Sequence, residues 1–255
     1  MRISWMFLSS FLLAACAAST PAATSADDAD TVTTDTATSE TAGTDASGQD
    51  TSACAAVHII TARASAEAAG EGRTKALIDQ IVSTSTQTVT RAAVVYPATL
   101  TNYAGSSAAG VTALKTQLTA QVQSCPTQKI VLAGYSQGAH VILDVLGGGG
   151  GSTLGALTDP IDASIASHVV VAVSFGDPRH VINQSFDQGT SQHNGMFPRT
   201  DAQLQVLGGY AARIQAYCDT DDKYCDSGTS ISIHTSYLSR YQDAAAAFVL
   251  GKIGG

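Results

Sequence analysis

Charge is scarce in this sequence. Asp, Glu, Lys and Arg make up 13% of its 255 residues, and 13 basic side chains face 21 acidic ones. No basic stripe is present to meet a phosphate backbone, which argues against nucleic acid as a partner. Metal-binding spacing is also missing. There is no C-x-x-C and no cluster of Cys and His, so no zinc site is expected. Beyond the first residues, no apolar run is long enough to cross a bilayer. No repeat of solenoid length occurs.

The N-terminal residues differ from the rest. Arg2 precedes Trp5-Met6-Phe7-Leu8 and Phe11-Leu12-Leu13, and small residues follow from Ala14 to Ala18. Residues 1–18 therefore read as a secretory signal, and the expected location is extracellular. Leu13-Ala14-Ala15-Cys16 also resembles a bacterial lipobox, in which a lipidated Cys16 would anchor the protein at the cell surface. The single positive charge before the apolar run favours plain secretion. Residues 19–52 are nearly all Thr, Ser, Ala, Asp and Gly, with one Val and no aromatic. Such a chain cannot bury enough apolar surface to offset its ordering entropy, so a disordered linker is expected. Asp27, Asp28, Asp30, Asp35, Glu40, Asp45 and Asp50 lie in it and supply much of the net charge of −8.

Residues 53–255 are the expected folded domain, a comfortable length for one core. Four cysteines fall in it: Cys54, Cys125, Cys218 and Cys225. Export implies an oxidising compartment and hence disulfides. Cys218 and Cys225 flank one short loop and are the natural local pair. Cys54 and Cys125 are then left to each other. Asn183-Gln184-Ser185 is a glycosylation sequon, usable only in a eukaryotic secretory path.

Strand and helix signals alternate along this domain. Val57 to Thr61, Ala92 to Tyr96, the run before Gly134, His168 to Phe175 and Arg213 to Tyr217 read as strands. Arg73 to Val82, Val111 to Val122, Ala139 to Leu146 and Leu238 to Val249 carry helical spacing. Nearly all-apolar strands alternating with helices predict an α/β fold. Its centre is a mostly parallel five-stranded sheet with helices on both faces, an α-β-α sandwich. Residues 176–209 show no clear strand and are long for a loop, which marks them as functionally suspect.

Gly134-Tyr135-Ser136-Gln137-Gly138 stands between a strand and a helix. G-x-S-x-G in that setting resembles the nucleophile elbow of the α/β-hydrolases. A serine hydroxyl needs a base within reach, and the base needs an orienting carboxylate. His140, His168, His180, His193 and His234 follow Ser136. In α/β-hydrolases the base comes late, which favours His234, just before the last helix. The residues alone leave the acid open. Asp177 follows a buried strand, and Asp219, Asp221, Asp222 and Asp226 lie in or beside the Cys218–Cys225 loop.

Several motifs recur together. They are Arg63-Ala64-Ser65-Ala66-Glu67, Tyr96-Pro97-Ala98-Thr99-Leu100, Cys125-Pro126, the Ser136 pentapeptide, Gly176-Asp177-Pro178, and Tyr217 to Cys225 followed by His234. In this order they resemble the family of cutinases and fungal-type acetylxylan esterases. The resemblance implies a catalytic triad of Ser136, His234 and Asp222, so it points away from Asp177. It implies an oxyanion hole from Ser65 and Gln137, and the disulfides Cys54–Cys125 and Cys218–Cys225. Cutinases often read Gly-Ser-Thr where this chain has Ala64-Ser65-Ala66. Leu100, Ile231 and Ile233 are expected to form an apolar rim for acyl chains. The expected protein is a secreted, monomeric serine esterase, cutinase-like, that needs no metal, cofactor or obligatory protein partner. Its substrate would be a cutin-like polyester, an acylated polysaccharide or a short acyl ester. The segment 176–209 looks more like acetylxylan esterases, which makes deacetylation of xylan the alternative. An inactive polysaccharide- or surface-binding protein on the same fold is the third reading.

Overall fold

The computed structural model describes residues 54–254. The expectations for residues 1–18, for Cys16 and for the linker lie outside them.

β1 (Val57–Ala62), β2 (Val89–Ala93), β3 (Lys129–Tyr135), β4 (Val169–Phe175), β5 (Asp187–Gly189) and β6 (Ile214–Cys218) form one sheet. Every pairing is parallel, in the order β2-β1-β3-β4-β6-β5. Strand alternation splits the core in two. Ile60, Ala62, Ile130, Leu132 and Ala172 point to one face. There they pack against α2 (Tyr103–Ser124) and α3 (Gln137–Gly147). Val57, Ile59, Val131, Ala133, Val173 and Phe175 point to the other. That side is covered by α1 (Lys75–Thr84) and by α7 (Tyr237–Ile253). Burial on both faces is why these strands read as continuous apolar runs.

The strand order places the site. From β1 the chain crosses to β2 on one side, then returns to lay β3 on the other. The connections leaving the carboxyl ends of β1 and β3 therefore diverge and open a crevice. Ser65 follows β1, and Ser136 follows β3.

The sheet has six strands rather than five. The extra strand, β5, is Asp187-Gln188-Gly189 at the edge, with no apolar residue to announce it. The second strand is Val89–Ala93 rather than 92–96. Val94 and Tyr96 are buried, but outside the sheet, while Val95 is 88% exposed. Apolar content there marks burial and not strand pairing. Residues 176–209 also hold α5 (Asp201–Gly208), started by a capping box between Thr200 and Gln203. The four-residue α4 (Ala163–Ala166) precedes β4.

Candidate active site

Ser136 lies between the last residue of β3 and the first of α3, at φ 53° and ψ −116°. A non-glycine residue held there stores about 1–3 kcal/mol. Its N–H donates to Phe175 O at 2.8 Å, and its carbonyl accepts from His140 N–H at 3.1 Å. The flanking glycines are required by close approach. A Cβ on Gly134 would lie 2.4 Å from Gly138 O, and one on Gly138 would lie 1.9 Å from Ala62 O. The second contact presses the start of α3 onto the end of β1, so the loops after β1 and β3 share one crevice.

His234 closes α6 (Ile231–His234), a single turn capped by the Ser230 hydroxyl. Its Nε2 stands 2.9 Å from Ser136 Oγ. Its Nδ1 stands 2.9 and 3.1 Å from the two carboxylate oxygens of Asp222. An ionised carboxylate only accepts, so Nδ1 carries the proton and Nε2 is free to accept from Ser136. Asp222 is fully buried inside the Cys218–Cys225 loop. Its Oδ1 accepts from the Tyr224 and Cys225 N–H groups at 2.7 and 3.0 Å, and its Oδ2 from the Tyr237 hydroxyl at 2.7 Å. Burial opposes its charge. The hydrogen bonds and charge of His234, with those from Tyr237 and Cys225, outweigh it and hold the carboxyl below the usual range. Burial, then the Asp222 charge, pushes the Tyr237 hydroxyl far up, so it remains a donor.

The rival carboxylates have other partners. Asp177 accepts from Arg199 Nη1 at 2.5 Å and from Arg179 N–H at 2.8 Å. Asp219 accepts from Tyr241 and Thr190. Asp226 accepts from the N–H groups of Gln192, His193 and Asp221. Asp221 is exposed and holds Thr229. The rival histidines are occupied or remote too. His140 is buried between Asp144 and the Tyr103 hydroxyl. His193 has a side chain 69% exposed. His180 Nε2 lies 2.8 Å from Ser191 Oγ, but its Nδ1 is 3.7 Å from Asp187, too long for a hydrogen bond.

Ser136 and His234 line a cavity of about 430 Å³. Leu100, Tyr103, Met196, Phe197, Tyr224 and Ile231 are among the residues that line it. Leu100, Met196 and Ile231 are each half exposed or more. Ile233 does not line the cavity, against the expectation for the rim. Ile231 and Ile233 are two apart in a helical turn and so face away from each other. The structure pairs Cys54 with Cys125 and Cys218 with Cys225.

A family model described as Cutinase matches residues 53–253. The chain belongs to the cutinase family. Acetylxylan esterase 2 of Talaromyces purpureogenus is 31% identical over 210 residues, covering 79% of this chain and 88% of the relative. Cutinase 11 of Verticillium dahliae is 31% identical over 209 residues, covering 78% and 70%. The solved catalytic core of acetyl xylan esterase from Trichoderma reesei superposes with a TM-score of 0.73 at 30% identity, covering 78% of this chain and all of that one. These relatives are carboxylic ester hydrolases, and this cutinase-family chain is one as well.

Of the two residues expected to form the oxyanion hole of this cutinase-family site, Ser65 borders the cavity and the Gln137 side chain does not. The Ser65 hydroxyl is buried without a hydrogen-bond partner among the described residues. Gln137 is the first residue of α3, and its buried amide is tied to Ser106, Thr99 and Tyr103. Sequence reasoning missed Tyr237 and Tyr135. Tyr135 donates to His234 O at 2.6 Å. Tyr237 and Tyr241 stand one turn apart just after His234, and both bond loop aspartates. A buried-face tyrosine pair next to an acid-rich loop was the available signal.

Proposed function

We propose that this protein is an exported serine esterase that hydrolyses short acyl esters through an acyl-enzyme. One observation carries the reading: an unbroken run from Asp222 through His234 to Ser136 at an apolar cavity. Ser136 Oγ attacks the ester carbonyl as His234 Nε2 takes its proton. Asp222 fixes the imidazole and stabilises its positive charge. The carbonyl oxygen becomes an oxyanion, held by the backbone N–H groups of Gln137 and Ser65 and by the Ser65 hydroxyl. The unpartnered Ser65 Oγ supports that assignment. The C–O bond to the alcohol breaks, and the alcohol leaves with the proton from His234. Water then attacks the acyl-enzyme, gives its proton to His234, and releases the acid and free Ser136.

The substrate is an ester of an extracellular polymer or a small acyl ester. The exposed apolar rim of Leu100, Met196 and Ile231 supports a cutinase-like preference for acyl chains. The fit to acetylxylan esterases favours a second reading, removal of acetyl groups from xylan. Two disulfides support an oxidising, extracellular destination.

A fluorophosphonate probe tests the mechanism. Labelling at Ser136, abolished in Ser136→Ala, is expected. Folded protein that does not label would refute the esterase reading. Rates on p-nitrophenyl esters of increasing chain length, on a polyester and on acetylated xylan decide the substrate. Activity on acetate alone would turn the assignment to the acetylxylan side.

A further inference from the structure

Ser65 reaches the cavity on a loop that β1 does not hold by itself. Ala66 has φ 63°, an unfavourable setting for a residue with a Cβ. The N–H groups on either side of Ser65 are taken. Ala66 N–H donates to Ala98 O at 2.7 Å, and Ala64 N–H donates to Glu67 Oε2 at 2.8 Å. Ser65 N–H makes no hydrogen bond among the described residues. The Glu67 carboxylate thus folds back three residues and closes the loop on itself. Its other oxygen, Oε1, accepts from Arg73 N–H at 3.2 Å and lies 3.3 Å from Arg73 Nε. Arg73 in turn reaches Thr235 O at 3.4 Å, beside His234. The Glu67 side chain therefore ties the loop bearing Ser65 to the start of the first helix, and through Arg73 to the turn bearing His234.

We propose that Glu67 is a positioning residue of the oxyanion site, acting through the Ser65 loop. This rests on the reading of Ser65 as an oxyanion donor. The physical reason is preorganisation. An N–H aimed at a developing charge helps only if it is fixed before the charge appears. A shift of about 1 Å can cost about 10²-fold in rate. Without the carboxylate, Ala64 N–H loses its acceptor and the Ala66 conformation loses its brace.

The test is a double-mutant cycle on an activated short-chain ester, with kcat expressed per active site titrated by diethyl p-nitrophenyl phosphate. Glu67→Ala is expected to lower kcat about 10- to 100-fold with KM within about twofold. Glu67→Gln keeps one acceptor oxygen and should lose about 3- to 10-fold. Combined with Ser65→Ala, either change should cost less than the product of the single losses, because both act on one donor set. The rate of Ser136 phosphorylation by the same reagent should fall in parallel. Multiplicative losses, or an unchanged kcat per titrated site with only a lower Tm, would overturn the proposal. If Glu67→Ala does not fold, Glu67→Gln carries the same cycle. Ser136→Ala is read separately. Retained activity there would refute the serine-esterase reading itself, whatever the Glu67 variants do.

Discussion

Tyr237 donates a 2.7 Å hydrogen bond to Asp222 Oδ2, the same oxygen that lies 2.9 Å from His234 Nδ1. A hydroxyl on the last helix thus shares the carboxylate that orients the histidine. Tyr237→Phe removes this donor without changing the ring packing. A hydrogen bond to a charged group is worth about 1.5–3 kcal/mol. A fall in kcat/KM of about 10-fold or more is expected. Tyr237 is one of the groups holding the Asp222 carboxyl down, so its loss lets that carboxyl rise. The loss of activity should fall on kcat, with KM nearly unchanged, because Tyr237 does not line the cavity. An unchanged kcat/KM would contradict this role for Tyr237.

The acid assignment separates by paired substitution. Asp222→Asn should lower kcat by about 10³- to 10⁴-fold, because the Tyr224 and Cys225 N–H groups hold the amide oxygen and turn its NH2 toward Nδ1, which forces the imidazole proton onto Nε2. Asp177→Asn should mainly lower stability, since Asp177 pairs with Arg199 away from the histidine. Steady-state kinetics and thermal melts on both variants decide it. Loss of turnover in Asp177→Asn alone would reverse the assignment.

A buried ionic cluster behind α3 should dominate acid stability. Asp144 faces His140, Arg179 and Arg199, all buried. Burial opposes its charge, but His140 and the two arginines outweigh it and hold the carboxyl at about 2. This is a depressed carboxylate, so its contribution is fully present above the unfolded value of about 3.9. It is lost as pH falls toward about 2. Asp144→Asn leaves two buried guanidinium groups short of a counter-charge, at a cost of about 3–5 kcal/mol. Urea unfolding should show that difference at pH 6 and a smaller one as pH falls through this window.

The two disulfides should separate by function. Cys54–Cys125 closes a separation of 71 residues, and Cys218–Cys225 closes one of 7. The chain-entropy relation gives about 4 and about 2 kcal/mol. Replacing Cys54 and Cys125 by Ser should lower stability more and leave kcat nearly unchanged. Replacing Cys218 and Cys225 should lower kcat, because Asp222 hangs between them on the Tyr224 and Cys225 N–H groups. Denaturant melts and kinetics on the two double variants check both halves.

Local pattern carried much of this molecule. The 3.6-residue spacing of Val111, Leu114, Leu118 and Val122 foretold a helix that buries all four. The glycines around Ser136 foretold a turn that only glycine can flank, and the clashes at Gly134 and Gly138 give the reason. Such features depend on neighbours in the chain, so the sequence by itself determined them. It did not determine β5, whose polar residues are held by one edge pairing. Nor did composition distinguish Asp222 from Asp177, two loop acids that follow buried strands. Tertiary structure separates them, by setting one beside a histidine and the other beside an arginine. It also decided that Ile231 borders the cavity and Ile233 does not, and that Glu67 folds back on Ala64. These outcomes depend on side-chain direction and on partners far away in the chain, and neither is written in local spacing.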